Sequence, residues 1–129
     1  MGYCIQQTDA NFFIPAELFV SALEAIKANL NEYQNHNRWA DTEQVLSAKE
    51  LSVALKHFRW RVGFNRLGDI DSIYFTGEKG GSYEPLFSWI APYVVEGSYI
   101  TMVGEDHATW RWYFDGQKCS TQNGRTVWE

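Results

Sequence analysis

Leu18, Ala22, Ile26 and Leu30 recur at four-residue spacing, and Phe19, Leu23 and Tyr33 widen the same stripe. That period is one face of an α-helix. It predicts a long amphipathic helix over Pro15–Tyr33, with Pro15 at its first position, where no backbone donor is needed. Ahead of it, Tyr3–Gln7 reads as a strand, and Phe12–Ile14 extends that strand or leads into the helix. The stretch Asn31–Asp41 is rich in Asn and Gln and reads as a connector, with Arg38–Ala40 a short extended piece.

A second helix is expected after Ser47 and Glu50, which have the spacing of a capping box. Its buried face would be Leu51, Ala54, Leu55 and Phe58, with Arg59 and Arg61 near its end and Gly63 as its stop. Ile70–Thr76 alternates, with Ile73 and Phe75 on one face and Ser72 and Tyr74 on the other. It is expected to pair with Arg61–Asn65 through a turn at Arg66–Asp69. Ser82 is placed to cap a third helix running to about Val94 with Leu86, Phe87, Ile90 and Tyr93 inward. Pro92 would kink or shorten it, and Gly97 fits its exit.

The last third reads as strands at Ser98–Val103, Ala108–Phe114 and Gln117–Gln122, with Thr126–Trp128 adding an edge able to pair with a second copy. Trp110, Trp112 and Phe114 share one face; Arg111 and Tyr113 take the other. Asp115-Gly116 predicts a hairpin turn with positive φ at both central positions. Together these elements predict an α+β fold: a mostly antiparallel sheet with about three helices packed on one face and a C-terminal β-meander. The length of 129 residues fits one domain over 1–129. With 45% apolar and 16% aromatic residues the chain has the means to bury a core without metals or disulfides.

Charge narrows the picture. The net charge is -5 and is evenly spread: residues 1–60 carry five Lys/Arg against seven Asp/Glu, and residues 61–129 six against nine. An acidic chain without a basic face is a poor non-specific binder of nucleic acid or anionic membrane. The N-terminus lacks the basic and apolar regions of a signal peptide, and no apolar run reaches the ~18 residues of a membrane span. A cytoplasmic protein is the expectation. Cys4 and Cys119 make neither a disulfide framework nor a zinc spacing. They would pair only if their strands were neighbours; Cys4 itself reads as a packed strand residue.

The remaining candidates are weighed against plainer roles. His36 follows Glu32 by one helical turn, and a single such pair has too few ligands for a metal. His57 lacks a nucleophile motif nearby. Gly104-Glu105-Asp106-His107 is the most polar cluster in the chain and would suit a cation or an acid–base pair, yet turns favour the same residues for backbone reasons. Asp69 and Asp71 read as a solvated turn. Gly77–Ser82 is glycine-rich ahead of a helix, but the P-loop order is missing. Trp110, Trp112 and Phe114 would make a stacking platform for single strands or sugars only with cations beside them; three helical stripes that need an apolar sheet face make them core instead. No cofactor and no metal site is expected.

The run Gly97-Ser98-Tyr99-Ile100, Gly104-Glu105-Asp106, Trp110-Arg111-Trp112, Phe114, Gly116 and Lys118 is distinctive. So are Met1-Gly2-Tyr3-Cys4-Ile5, Asn11-Phe12-Phe13-Ile14 and Ala22-Leu23-Glu24-Ala25-Ile26-Lys27. With these segments the chain resembles a loose group of short proteins of phages, prophages and other mobile elements. The resemblance implies a context rather than a reaction, and it departs at His107, where a turn glycine is expected.

Two function classes follow. The first is a small acidic binding protein, monomer or homodimer, that occupies the surface of a protein partner. The mobile-element resemblance implies an inhibitor of host defence such as an anti-CRISPR, its acids meeting the basic groove of a nucleic-acid enzyme. The residues expected to carry it are Glu78, Glu84, Glu96, Glu105 and Asp106, with Arg111 and Tyr113 pointing away from the core. The alternative is a small enzyme or metal-binding domain centred on Glu105, Asp106 and His107, with His57 joining through space.

Overall fold

A computed structural model of the protein describes residues 4–33, 42–77 and 83–123. Among these residues are four α-helices and six strands in an α+β arrangement. The first helix, α1, spans Phe19–Tyr33 after a 3-10 turn at Ala16–Leu18. Its stripe is buried at Ala22, Leu23, Ile26 and Leu30. Pro15 stands one position outside the expected place, in extended backbone (φ -64°, ψ 142°), where its carbonyl accepts from the Leu18 N–H.

The expected second helix is shorter than foreseen, and a further short helix precedes it. Thr42–Leu46 forms α2 and Leu51–His57 forms α3. Ser47 and Glu50 do not make a capping box. The Ser47 hydroxyl donates back to the Glu43 carbonyl at 2.8 Å, closing α2, while Glu50 precedes α3 in extended backbone with no side-chain cap. Gly63 does not stop this helix either. The chain leaves α3 at Phe58, takes φ 75° at Arg59 and turns back as strand β2, Trp60–Phe64. Past that reversal, Trp60 opens β2 with its indole completely buried.

β2 pairs antiparallel with β3, Ile70–Phe75, as foreseen. The hairpin turn runs Asn65–Asp69: the Asn65 N–H donates to the Asp69 carbonyl and the Gly68 N–H to the Asn65 carbonyl, with Gly68 at φ 88°. The third expected helix is α4, Glu84–Ile90, prolonged by a 3-10 turn at Ala91–Tyr93 where Pro92 sits. Gly97 exits it at φ 96°. Ser82 and Thr126–Trp128 lie outside the described residues.

The strands form two sheets rather than one. β1 (Ile5–Asn11), β4 (Tyr99–Gly104), β5 (Thr109–Phe114) and β6 (Cys119–Asn123) make a four-stranded antiparallel sheet in the order β1-β4-β5-β6. The β2–β3 hairpin is the second sheet. Two links join them. Ile14 and Ile70 exchange both backbone hydrogen bonds at 3.0 Å. Where β1 bulges between Gln7 and Asp9, the Gln7 side-chain amide donates to the Ile73 carbonyl at 2.9 Å and accepts the Phe75 N–H at 2.8 Å. An amide side chain thus stands in for a peptide group.

The β5–β6 turn departs from expectation. Positive φ occurs at Gly116 (94°) but not at Asp115. The Asp115 N–H donates to the Lys118 carbonyl and the Asp115 carboxylate accepts the Lys118 N–H, so Gly116 and Gln117 lie between the bonded pair, with the positive φ on the first. The core is one buried cluster whose centre is aromatic: Trp60 touches Phe75, Tyr83, Phe87 and Trp112 with ring centroids 4.9–6.1 Å apart. Trp112 and Phe114 are buried and Trp110 packs edge-on against Trp112, so these three belong to the core face. Among the described residues no helix is long and apolar enough to cross a membrane.

Candidate protein-binding surface

Strand alternation sends Ile100, Met102, Trp112 and Phe114 into the core. It therefore sends Tyr99, Thr101 and Val103 of β4, and Thr109, Arg111 and Tyr113 of β5, to the opposite face. The register sets Tyr99 across from Tyr113 and Thr101 across from Arg111. The Arg111 side chain lies diagonally over Tyr99, its guanidinium carbon 4.1 Å from the ring centroid. Its Nε donates to the Thr101 hydroxyl at 3.0 Å. On the other side the Tyr99 hydroxyl donates to Asp9 Oδ2 at 3.2 Å. Asp9, Tyr99, Arg111 and Thr101 are one connected network over β1, β4 and β5, with Tyr113 beside it. Each ring or fork is held by neighbours, so little rotamer freedom is left to lose on contact with a partner.

The acidic candidates are not gathered in one place. Glu105 and Asp106 occupy the β4–β5 turn, and both are tied to backbone. Glu105 Oε1 accepts the Cys4 N–H at 2.8 Å, and the Glu105 N–H donates to the Cys4 carbonyl. Asp106 Oδ1 accepts the Ala108 N–H at 3.0 Å. His107 closes that turn at φ 70°. Glu96 lies against Gly116 at the other end of the sheet, about 17 Å away at ~3.4 Å per residue of strand. Glu84, on α4, is on the helix side, where its Oε2 accepts the Trp112 indole N–H at 3.1 Å. Glu78 lies outside the described residues. Arg111 and Tyr113 are thus brought together, the acids form the ends of the sheet, and Glu84 belongs to the core's support.

Tyr99 and Asp9 complete the network and were not singled out in the sequence. The alternation of Tyr99 and Thr101 with Ile100 and Met102 carries the signal for Tyr99. Asp9 depends on the pairing of β1 with β4, which no local pattern encodes.

Of the alternative centre, His57 ends α3, which packs on α1, α2 and β2, whereas Glu105, Asp106 and His107 form the β4–β5 turn. Among the described residues no three His, Cys, Asp or Glu side chains group to hold a metal ion. His36 lies outside them. Asp69 is also committed: its Oδ1 accepts the Ala16 N–H at 2.7 Å.

The cysteines lie on opposite edges of the four-stranded sheet and are not joined to each other. Three inter-strand steps of ~4.8 Å put them beyond disulfide reach. Cys4 is exposed, contrary to its expected packing. Burial, helped by the charges of Glu84 and Asp115, pushes the Cys119 thiol up to about 12. The Lys118 and Gln117 N–H groups, aimed at the Asp115 carboxylate, hold it below the usual value of 3.8.

No protein-family model, no curated protein and no solved structure matches this chain.

Proposed function

We propose that the chain is a binding protein that works by occupying the surface of a protein partner, through the outer face of its four-stranded sheet. The observation that carries this reading is the preassembled Asp9–Tyr99–Arg111–Thr101 network with Tyr113 at its side. Tyrosine and arginine are the side chains that most often dominate interface energetics, because each offers a large rigid contact area with a polar tip. Here they stand at the centre of a face whose ends carry Glu96 and Asp115 on one side and Glu105 and Asp106 on the other. An aromatic and arginine centre with an acidic rim suits a basic protein surface.

The resemblance to mobile-element proteins supplies the partner class to test first: a host defence enzyme with a basic nucleic-acid groove, such as a CRISPR nuclease. Tagged protein is used to capture partners from host lysate, beside plaque assays under CRISPR and restriction pressure. The reading expects a captured partner and restored plating, both lost in Arg111→Glu and Tyr113→Ala. Capture of nothing, with no change in plating, overturns it; so does full activity of both variants.

A further inference from the structure

Phe64 ends β2 beside the Asn65–Asp69 turn and is 52% exposed. Around it stand Leu67 at 83%, Val20 at 66% and Val53 at 39% exposure. Single exposed apolar residues are ordinary, but a cluster around a depression marks an interaction site. Three adjoining depressions share Phe64 as a wall. One is a groove of about 300 Å³ between the start of α1 and the start of α3, floored by Phe19, Leu23 and Leu51. Phe19 meets Phe64 edge-on at 6.2 Å, which fixes that wall.

The rim reverses the sign of the rest of the molecule. Lys49, Lys56, Arg61 and Arg66 line these depressions, and Glu50 is the one carboxylate among their described lining residues. Asp69, at the foot of the turn, is taken up by the Ala16 N–H and the Asn65 amide. Four cations around an apolar groove, in a chain of net charge -5, define the complementary ligand.

We propose that this patch docks an acidic amphipathic segment of a partner protein, with apolar anchors in the groove and carboxylates on the four cations. Helix-in-groove recognition has this form. A second copy docked through the same patch would set like cations against each other. An anionic bilayer would meet the net negative charge of the whole chain at close range, whereas a short peptide senses the local cations. The patch shares no residue with the Arg111 face, so either proposal stands or falls without the other.

The test uses fluorescence anisotropy with a labelled helical peptide of roughly four turns, Leu and Phe along one stripe and Glu elsewhere. A second peptide carries Lys in place of Glu. The Glu peptide is expected to bind at least about tenfold more tightly than the Lys peptide, and to weaken as salt shortens the screening length. Leu67→Ser, in an exposed turn, and Lys56→Glu are each expected to weaken it by about tenfold, while Arg111→Glu leaves it unchanged. No binding of the Glu peptide up to about 1 mM, equal binding of both peptides, or indifference to Leu67→Ser overturns the proposal. So does a concentration-dependent dimer that Leu67→Ser abolishes in sedimentation, or preference for phosphatidylserine vesicles over the Glu peptide.

Discussion

The exposed carboxylate of Glu84 accepts the indole N–H of buried Trp112 at 3.1 Å, while the indole nitrogen of Trp60, 6.1 Å away between ring centroids, has no hydrogen-bond partner among the described residues. Two tryptophans of one aromatic cluster therefore differ in whether their polar atom is satisfied. Trp112→Phe is expected to cost about 3 kcal/mol, because it leaves a void and loses a charge-assisted hydrogen bond. Trp60→Phe leaves a similar void but removes an unpaired N–H, so about 1–2 kcal/mol is expected. Glu84→Ala should cost about 1 kcal/mol, with Glu84→Gln milder because an acceptor oxygen remains. Urea unfolding of the four variants checks the order; Trp60→Phe proving the worst would contradict it.

Two hairpins use the same three-residue loop with different residues at the left-handed position. In the β2–β3 turn it is Gly68 at φ 88°; in the β4–β5 turn it is His107 at φ 70°. The backbone bonds correspond, Gly68 N–H to Asn65 and His107 N–H to Gly104. A side chain in this region costs about 1 kcal/mol. His107→Gly is therefore expected to raise stability by about that amount, and Gly68→Ala to lower it by a similar amount. Thermal unfolding midpoints should move in opposite directions; a shift of both the same way refutes the shared geometry.

Asp115 gives the β5–β6 turn a pH dependence of known sign. Its carboxyl is held below its ordinary value by the Lys118 and Gln117 N–H groups. The contribution is therefore fully present above the usual 3.8, and is lost as pH falls from there through the lowered folded value. Asp115→Asn keeps an acceptor oxygen but has no charge to lose. Wild-type protein should be the more stable above this window, and the two stability curves should converge below it. Parallel curves across the window would remove the proposed role of the charge.

The thiols should label in a fixed order. Cys4 is exposed, while the Cys119 thiol, half-buried near Glu84 and Asp115, is raised to about 12. Since the thiolate is the nucleophile, iodoacetamide near pH 8 is expected to modify Cys4 alone, with Cys119 following only in denaturant. Peptide mass mapping reads this directly, and early modification of Cys119 would count against its burial.

Much of the fold was legible where pattern and burial coincide. The α1 stripe, the β2–β3 hairpin and the alternation of Trp110, Arg111, Trp112 and Tyr113 all act locally. The region from Ser47 to Gly63 was not legible for a physical reason. Ser47 and Glu50 have capping-box spacing, yet the Ser47 hydroxyl is spent on the Glu43 carbonyl four residues earlier, and Trp60 lies in a strand within the aromatic cluster it fills. The division into two sheets was hidden because Gln7 looks like an ordinary polar strand position. Of the candidate surface, strand parity placed Arg111 and Tyr113 outward. The network around them required the partnering of β1 with β4, a contact between residues about ninety positions apart.

The Gln7 amide has a bearing on the outer edge of the β2–β3 ribbon. A lone two-stranded ribbon usually offers its free rail to any extended chain that passes, which is how neighbouring molecules stack into fibres. On β3 that rail is occupied at one end by Ile14 and at the other by a carboxamide that holds the Ile73 oxygen and the Phe75 hydrogen. One glutamine thus acts as a blocking plug, and shortening it would turn a sealed margin into a sticky one.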